Sequence, residues 1–452
     1  MGFHYGERFD EWKKIQLENC RIVIGARSAI FAPISNIGII IIDEEHDDSY
    51  KSETVPKYDA KEVANYLAIQ NNIPLVLGSA TPDIKTYYQA LQGEIQLLTL
   101  KERVSKSGLP NIEIVDMRAE LATGNKTVFS RKLYYAMKEA IKNKEQMMLF
   151  LNRRGYSTFV MCRDCGYVVK CENCDVSMTY HMDENRLICH YCGRAKNVMT
   201  VCPACGKTNI RYFGSGTQKI EMEIKKYFPE ASVIRMDVDT TRVKNGHEKI
   251  LKRFREEKID ILLGTQMIAK GHDFSNVTLV GVLAADSALN IGDYRANEKT
   301  YELLTQMAGR AGRGGKKGTA IIQTYMPDEF SIQAAKEQNY TKFYNQEINL
   351  REKLNYPPFC DIIVSVVSGK DEEIVKSEVN RLYELLRTSF NAYMPVPAPI
   401  SKINGEYRWR ILLKEVVDEN KLSKFYELVS VFRKTQNGEW KVSVDVNPNN
   451  ML

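Results

Sequence analysis

Aliphatic residues along this chain come in short unbroken runs rather than in alternation. Gly38 is followed by Ile39-Ile40-Ile41-Ile42 and at once by Asp43-Glu44-Glu45-His46. A run with no polar interruption predicts a strand buried on both faces, the mark of a parallel sheet. The pattern recurs in Pro74-Leu75-Val76-Leu77 before Gly78-Ser79-Ala80-Thr81-Pro82, and in Met148-Leu149-Phe150-Leu151 before Asn152-Arg153-Arg154-Gly155. It recurs again in Ile261-Leu262-Leu263 before Gly264-Thr265-Gln266, and Arg21-Ile22-Val23-Ile24-Gly25 reads as a further strand. Near the C-terminus, strand-like Ile362 to Val367, helix-like Val379 to Phe390 and strand-like Trp440 to Val444 predict a small α/β domain entered through Tyr356-Pro357-Pro358-Phe359. The expectation is an α/β protein with parallel sheets. No aliphatic stretch is long enough to span a bilayer.

Cysteine spacing changes the picture. Eight of the ten cysteines fall within 44 residues as four Cys-x-x-Cys pairs: Cys162/Cys165, Cys171/Cys174, Cys189/Cys192 and Cys202/Cys205. Each pair places two thiols on one tight knuckle, and a tetrahedral zinc takes two knuckles, so eight thiols predict two closed four-cysteine sites. Gly166, Gly193 and Gly206 follow three of the knuckles, as a sharp turn prefers. Disulfides fit less well, since the start of the chain has no secretory pattern, while spacing alone leaves iron–sulfur clusters open. It also leaves open which pairs share a metal. Nesting first with fourth and second with third would close an inserted excursion at its root. His181 and His190 read as bystanders, and Cys20 and Cys360 as buried apolar residues.

With 452 residues, 44% apolar, the chain has material for about three domains. A net charge of +6 permits a nucleic-acid partner without arguing strongly for one.

Acidic residues at the carboxyl end of a parallel strand lie where α/β sheets place ligands. Asp43 would hold Mg2+ on a nucleoside triphosphate, with Glu44 orienting the attacking water. Small hydroxyl residues Ser79 and Thr81 can link a bound phosphate to neighbouring loops. Gln306-Met307-Ala308-Gly309-Arg310-Ala311-Gly312-Arg313-Gly314 sets Arg310 and Arg313 three residues apart, on one face if helical. Such guanidinium groups suit γ-phosphate charge in phosphoryl transfer. Tyr50, Lys51 and Tyr58 place aromatics beside lysines, as a loop that stacks unpaired bases would; packing onto the domain explains them equally well. Tyr407-Arg408-Trp409-Arg410 reads either as a contact for DNA or an acidic peptide, or as an alternating strand with one packed face.

These blocks, in this order, resemble the PriA-type primosomal DNA helicases, superfamily 2 motors of bacterial replication restart. Asp43 to His46 is similar to helicase motif II, Gly78 to Pro82 to motif III, Gly264 to Phe274 to motif V and Gln306 to Arg313 to motif VI. The double-zinc insertion after Tyr156 sets this family apart from RecG-like and RecQ-like motors. The resemblance implies RecA-like helicase lobes and a nested pairing of the cysteines. It implies nucleotide coupling through His46, Ser79, Thr81, Gly271 and Gln306, and an aromatic-rich loop that couples DNA to hydrolysis. Forked and single-stranded DNA, single-strand-binding protein, other primosome proteins and a cytoplasmic setting follow from it too. On this reading 1–100 is the remnant of a first lobe and 101–127 a polar linker. A second lobe covers 128–330 with the zinc insertion at 158–212, and 331–452 is the C-terminal domain.

A motor of this kind requires Gly-x-x-x-x-Gly-Lys-Ser/Thr to cradle phosphates. Gly206-Lys207-Thr208 ends like one, but the position five before Gly206 is Val201, and the tripeptide belongs to a cysteine knuckle. In the family this loop lies upstream of motif II, so the sequence reads as the carboxy-terminal two-thirds of such a protein, unable to hydrolyse ATP alone. The competing reading is a non-enzymatic, zinc-bearing DNA and protein adaptor.

Overall fold

The computed structural model describes residues 5–17, 20–100, 109–151, 159–181, 185–212, 217–241, 246–268, 274–312, 317–436, 438–449 and 451. They form two compact units, Met1–Leu98 and Thr99–Leu452.

In the first unit, β1 (Ile40–Asp43) and β2 (Leu75–Gly78) pair in parallel, with Asp43 opposite Gly78. Helix Ala60–Asn71 presents Ala60, Ala64 and Ala68, all buried. One small residue per turn on one stripe lets a helix approach its neighbours closely. Asp59 and Asp83 cap this helix and Ile84–Leu91 by accepting from the amides of Lys61 and Lys85. The strand expected at Arg21–Gly25 does not form. Ile22 and Ile24 are 78% and 93% exposed, and no described strand lies beside them. An extended run without a ladder partner gains nothing from being extended.

The second unit starts with β3 (Asn111–Asp116) and β4 (Gln146–Phe150). The chain then leaves for a cysteine-rich excursion with short strands β5 (Val160–Cys162), β6 (Thr179–His181), β7 (Arg186–Ile188), β8 (Ala195–Asn197) and β9 (Ile210–Tyr212). It returns as β10 (Val233–Met236), β11 (Ile261–Gly264), β12 (Val277–Val282) and β13 (Thr319–Thr324). The main sheet runs β10-β11-β4-β12-β13-β3 with every pairing parallel. Its three central strands are buried along their whole length, which explains their unbroken aliphatic sequence. Helices Arg131–Lys142 and Thr217–Tyr227 cover one face, with Leu133, Met137, Ile220 and Ile224 packed on Met147, Leu149, Ile261 and Leu263. The polar linker expected over 101–127 is structured from Asn111 onward. Its strand β3 pairs with β13 from Asn111↔Thr319 to Asp116↔Thr324, so this segment belongs to the sheet.

β5 and β9 pair antiparallel and close the excursion at its root, while β6, β7 and β8 form a meander at its tip. Helices Phe330–Glu337 and Tyr340–Lys353 pack back onto helix Ala296–Ala308, where the rings of Tyr301 and Phe343 stack at 4.4 Å. An antiparallel sheet then follows, of β14 (Asp361–Gly369), β15 (Val396–Ile403), β16 (Glu406–Glu415) and β17 (Trp440–Val446), ordered β15-β16-β14-β17. Helices Glu372–Leu386 and Glu419–Arg433 cover one of its faces through Val379, Leu382, Phe425 and Val429. The tip of the excursion covers the other. No described helix is long and apolar enough to cross a membrane.

Candidate functional sites

Asp43 ends β1 and the chain turns sharply at Glu44, whose φ of 49° lies in the left-handed region. A non-glycine residue there costs about 1 kcal/mol or more and needs surrounding support. The support is visible. The Glu44 amide donates to Asp43 Oδ1 at 3.0 Å, Asp47 N donates to Glu44 O at 2.9 Å, and Glu45 N donates to Gly78 O at 3.0 Å. Asp43 and Glu44 are left exposed while Glu45 and His46 turn inward. His46 Nδ1 lies 2.6 Å from Ser79 Oγ, which accepts from Thr81 N at 3.0 Å. The acidic turn after β1 and the hydroxyl loop after β2 are thereby tied through one imidazole. Asp43, Glu44, His46, Ser79 and Thr81 thus sit together at the carboxyl ends of two parallel strands.

Glu45 escaped the sequence reading. Only 1% exposed, it accepts from Asp83 N at 2.7 Å, Lys61 Nζ at 3.0 Å and Thr86 Oγ1 at 3.1 Å. It therefore clamps the start of helix Ile84–Leu91 to the acidic turn. Burial works against the charge on Lys61, but the carboxylates of Asp83, Glu45 and Asp59 outweigh it and raise its pKa.

The three residues expected to meet DNA are engaged within the unit. Tyr50 OH donates to Asp43 O at 2.6 Å. Lys51 is 8% exposed. The Tyr58 ring meets Phe31 edge-on at 4.9 Å and the Arg27 guanidinium at 5.5 Å. Here packing onto the domain is the arrangement seen. Tyr50 nonetheless ties this loop to Asp43.

In the second unit, Gln306 lies on helix Ala296–Ala308, which ends at Gly309. Arg310 occupies the turn beyond, its amide donating to Met307 O at 3.0 Å. Arg313 and Gly271 lie outside the described residues. Between these two motifs the structure shows another residue that spacing gave no hint of. Asp286, fully buried, accepts from Thr324 Oγ1 at 2.7 Å and Tyr325 N at 3.0 Å, and burial raises its carboxyl to about 6.

The eight thiols form two groups, Cys162, Cys165, Cys202 and Cys205 at the root and Cys171, Cys174, Cys189 and Cys192 at the tip, each with its sulfurs within 4.8 Å of one another. This is the nested pairing. Sulfur–sulfur distances of 3.7 Å (Cys162–Cys205), 3.6 Å (Cys165–Cys202) and 3.6 Å (Cys171–Cys192) match the about 3.8 Å edge of a tetrahedron with zinc–sulfur bonds of about 2.3 Å. Every knuckle closes with an amide donating back to its first cysteine, from Gly166, Asp175, Gly193 and Gly206, and all four closing residues have positive φ. Asp175 does at the second knuckle what glycine does at the others. Burial raises Cys165 to about 12 and Cys171 to about 11. Four sulfurs converging at each site form a donor set that fits a divalent, thiophilic metal. His190 Nε2 meets His181 Nε2 at 3.0 Å and its Nδ1 lies 3.3 Å from Pro397 O, so neither histidine is needed to complete a site.

A parallel sheet with a glutamine–arginine motif beyond one of its helices, interrupted by a nested pair of four-cysteine sites, defines a helicase lobe with a cysteine-rich insertion. In keeping with that class, residues 206–315 match the helicase conserved C-terminal domain. Residues 171–196 match the PriA DNA helicase Cys-rich region, and 352–449 the primosomal protein N C-terminal domain. The replication restart protein PriA of Bacillus subtilis is 49% identical over all of this chain and 57% of its own length. Those of Synechocystis and Haemophilus influenzae are 45% and 34% identical over 91% and 98% of the chain, and over 51% and 61% of their own lengths. Along its whole length the chain is similar to the PriA family. It spans somewhat more than half the length of these relatives.

Proposed function

We propose that this chain supplies motor parts of an ATP-dependent 3′-to-5′ DNA helicase of replication restart, which acts at stalled forks and promotes primosome assembly in the cytoplasm. The observation that carries the reading is 49% identity, along the whole chain, to a replication restart protein. Forked and single-stranded DNA, single-strand-binding protein and other primosome proteins are its partners on this reading. Zinc occupies both four-cysteine sites and holds the excursion in shape.

Asp43 is the residue that would hold Mg2+ on ATP, and bound Mg2+ neutralises charge on the transferring phosphoryl group. The left-handed turn leaves Glu44 exposed beside it, set to accept a proton from water. His46 and Ser79 carry a displacement of that turn to the loop after β2. Arg310 and Arg313 offer guanidinium charge to the departing γ-phosphate, and Gln306 lines the same motif. Since the 452 residues hold no Gly-x-x-x-x-Gly-Lys-Ser/Thr sequence, the chain alone is expected to bind DNA without DNA-stimulated hydrolysis.

The test is a chimera that joins the upstream part of the Bacillus subtilis relative to this chain. It should displace the strand from a fork with 3′-to-5′ polarity only when ATP is present. Arg310→Ala should lower turnover far more than nucleotide affinity, because its charge matters most at the transition state. Displacement of opposite polarity, or an Arg310→Ala defect confined to affinity, would refute the reading.

A further inference from the structure

The tip site is the more buried of the two. Cys171, Cys174 and Cys189 are 1%, 6% and 0% exposed, whereas Cys205 of the root site is open to solvent. A divalent metal bound by four thiolates carries a net charge of 2−. Water can screen that charge at the root, but a buried site needs positive charge from the protein.

The C-terminal sheet presents that charge. Along β16, Trp409, Ile411 and Leu413 face the two helices, while Leu412 faces the cysteine-rich tip. Residues two apart in a strand share a face, so Arg410 and Lys414 flank Leu412 on the tip side. Both are buried, at 3% and 9% exposure. Arg410 Nε and Nη2 donate to the carbonyl of His190, inside the Cys189–Cys192 knuckle, the first at 3.2 Å, and Nη1 donates to Met451 O. Lys414 Nζ donates to Leu354 O at 2.7 Å and lies 3.7 Å from the centre of the Tyr356 ring, whose hydroxyl donates to Cys174 O at 2.9 Å. Among the described residues, neither cation is ion-paired with a carboxylate. Asp293 also acts on Arg410, but it is committed to Arg295 at 3.0 Å.

We propose that Arg410 and Lys414 are the counter-charges and positioning residues of the tip metal site, so that this site is completed by the C-terminal domain rather than by the excursion alone. Two buried cations without carboxylate partners and a buried dianionic centre then compensate each other across one interface. Burial pushes Arg410 down to about 10 and also lowers Lys414; Tyr191, then Cys189 and Asp293, oppose this for the first, and Cys360, then Cys174, for the second. The inference rests on both sites holding zinc, which the metal content of the unaltered chain checks separately: fewer than two zincs would sink that premise, whatever the variants do.

The experiment measures chelator-driven zinc release from the chain, with the tip zinc identified as the one that Cys171→Ser removes. Arg410→Gln should speed loss of the tip zinc by about 10- to 100-fold, the usual effect of removing an outer partner of a metal ligand, and leave the root zinc at its original rate. Arg410→Lys, which keeps the charge, should restore most of the difference. Lys414→Met should act in the same direction, and it decides the matter if Arg410→Gln does not fold. In a Cys192→His background the site carries one negative charge fewer, so the Arg410→Gln effect should shrink; a purely structural role would leave it undiminished. Unchanged tip release in Lys414→Met and Arg410→Gln, equal acceleration at both sites, or an undiminished effect beside Cys192→His would each overturn the proposal.

Discussion

Two neighbouring glutamates have opposite assignments, and exchanging each for glutamine separates them. Glu45 is buried and accepts three hydrogen bonds, one of them from Lys61. Glu45→Gln keeps the shape and can still accept from Asp83 N, but its amide nitrogen then faces the donors of Lys61 and Thr86. Breaking a buried ion pair costs about 3–5 kcal/mol. Lys61 retains Asp83 at 3.9 Å and its side chain is 23% exposed, so a loss of about 2 kcal/mol is expected after allowing for solvent. That corresponds to about 30-fold faster hydrogen exchange in helices Ala60–Asn71 and Ile84–Leu91. Because the Lys61 pKa is raised in the folded chain, its contribution is complete below the ordinary value of 10.5 and is lost only as pH climbs through the raised one. The effect should therefore be the same at pH 6 and pH 8. Glu44→Gln, at an exposed position that makes no such clamp, should leave exchange within about 0.5 kcal/mol of the original, yet abolish ATP turnover in the chimera while nucleotide still binds. Equal destabilisation by the two substitutions, or Glu44→Gln that turns over normally, would refute the division of roles.

Cys171→Ser should release one zinc of two in elemental analysis and keep the root site, whereas loss of both would contradict independent sites. Gly166→Ala should destabilise the root knuckle and detach it from the sheet, since an added Cβ would lie 2.2 Å from Tyr325 O at a φ of +79°; normal zinc retention and an unchanged melting temperature would contradict this. Asp286 has its pKa raised to about 6 by burial, so its favourable contribution is complete below the unfolded value and is lost as pH rises through about 6. Asp286→Asn should flatten the fall in stability between pH 4 and pH 7 by an amount on the order of 2–3 kcal/mol, and an unchanged slope in denaturant titrations would exclude it.

The central parallel strands were legible because burial on both faces leaves no room for polar residues in the run. The same rule misled at Arg21–Gly25, since an aliphatic run carries no information about whether a partner strand lies beside it. β3 was missed for the opposite reason. Asn111-Ile112-Glu113-Ile114-Val115-Asp116 sits at a sheet edge, where alternation and polar ends are tolerated. Cysteine spacing gave two sites but not their pairing, which the β5–β9 closure decides. Arg310 and Arg313 would share a face only if helical, and the helix that carries Gln306 ends at Gly309. Glu45 could not be found from its neighbours in sequence, because its partners at Lys61, Asp83 and Thr86 are brought to it only by the fold. Arg410 was visible within an aromatic–basic segment, but its burial against the cysteine-rich tip was not.

The most direct measurement is ATP turnover with and without single-stranded DNA, made on the chimera and on this chain alone. The account predicts DNA-stimulated hydrolysis by the chimera, its loss with Glu44→Gln, and none by the 452 residues alone. DNA-stimulated hydrolysis by the chain alone, or turnover in the chimera indifferent to Glu44, would contradict it.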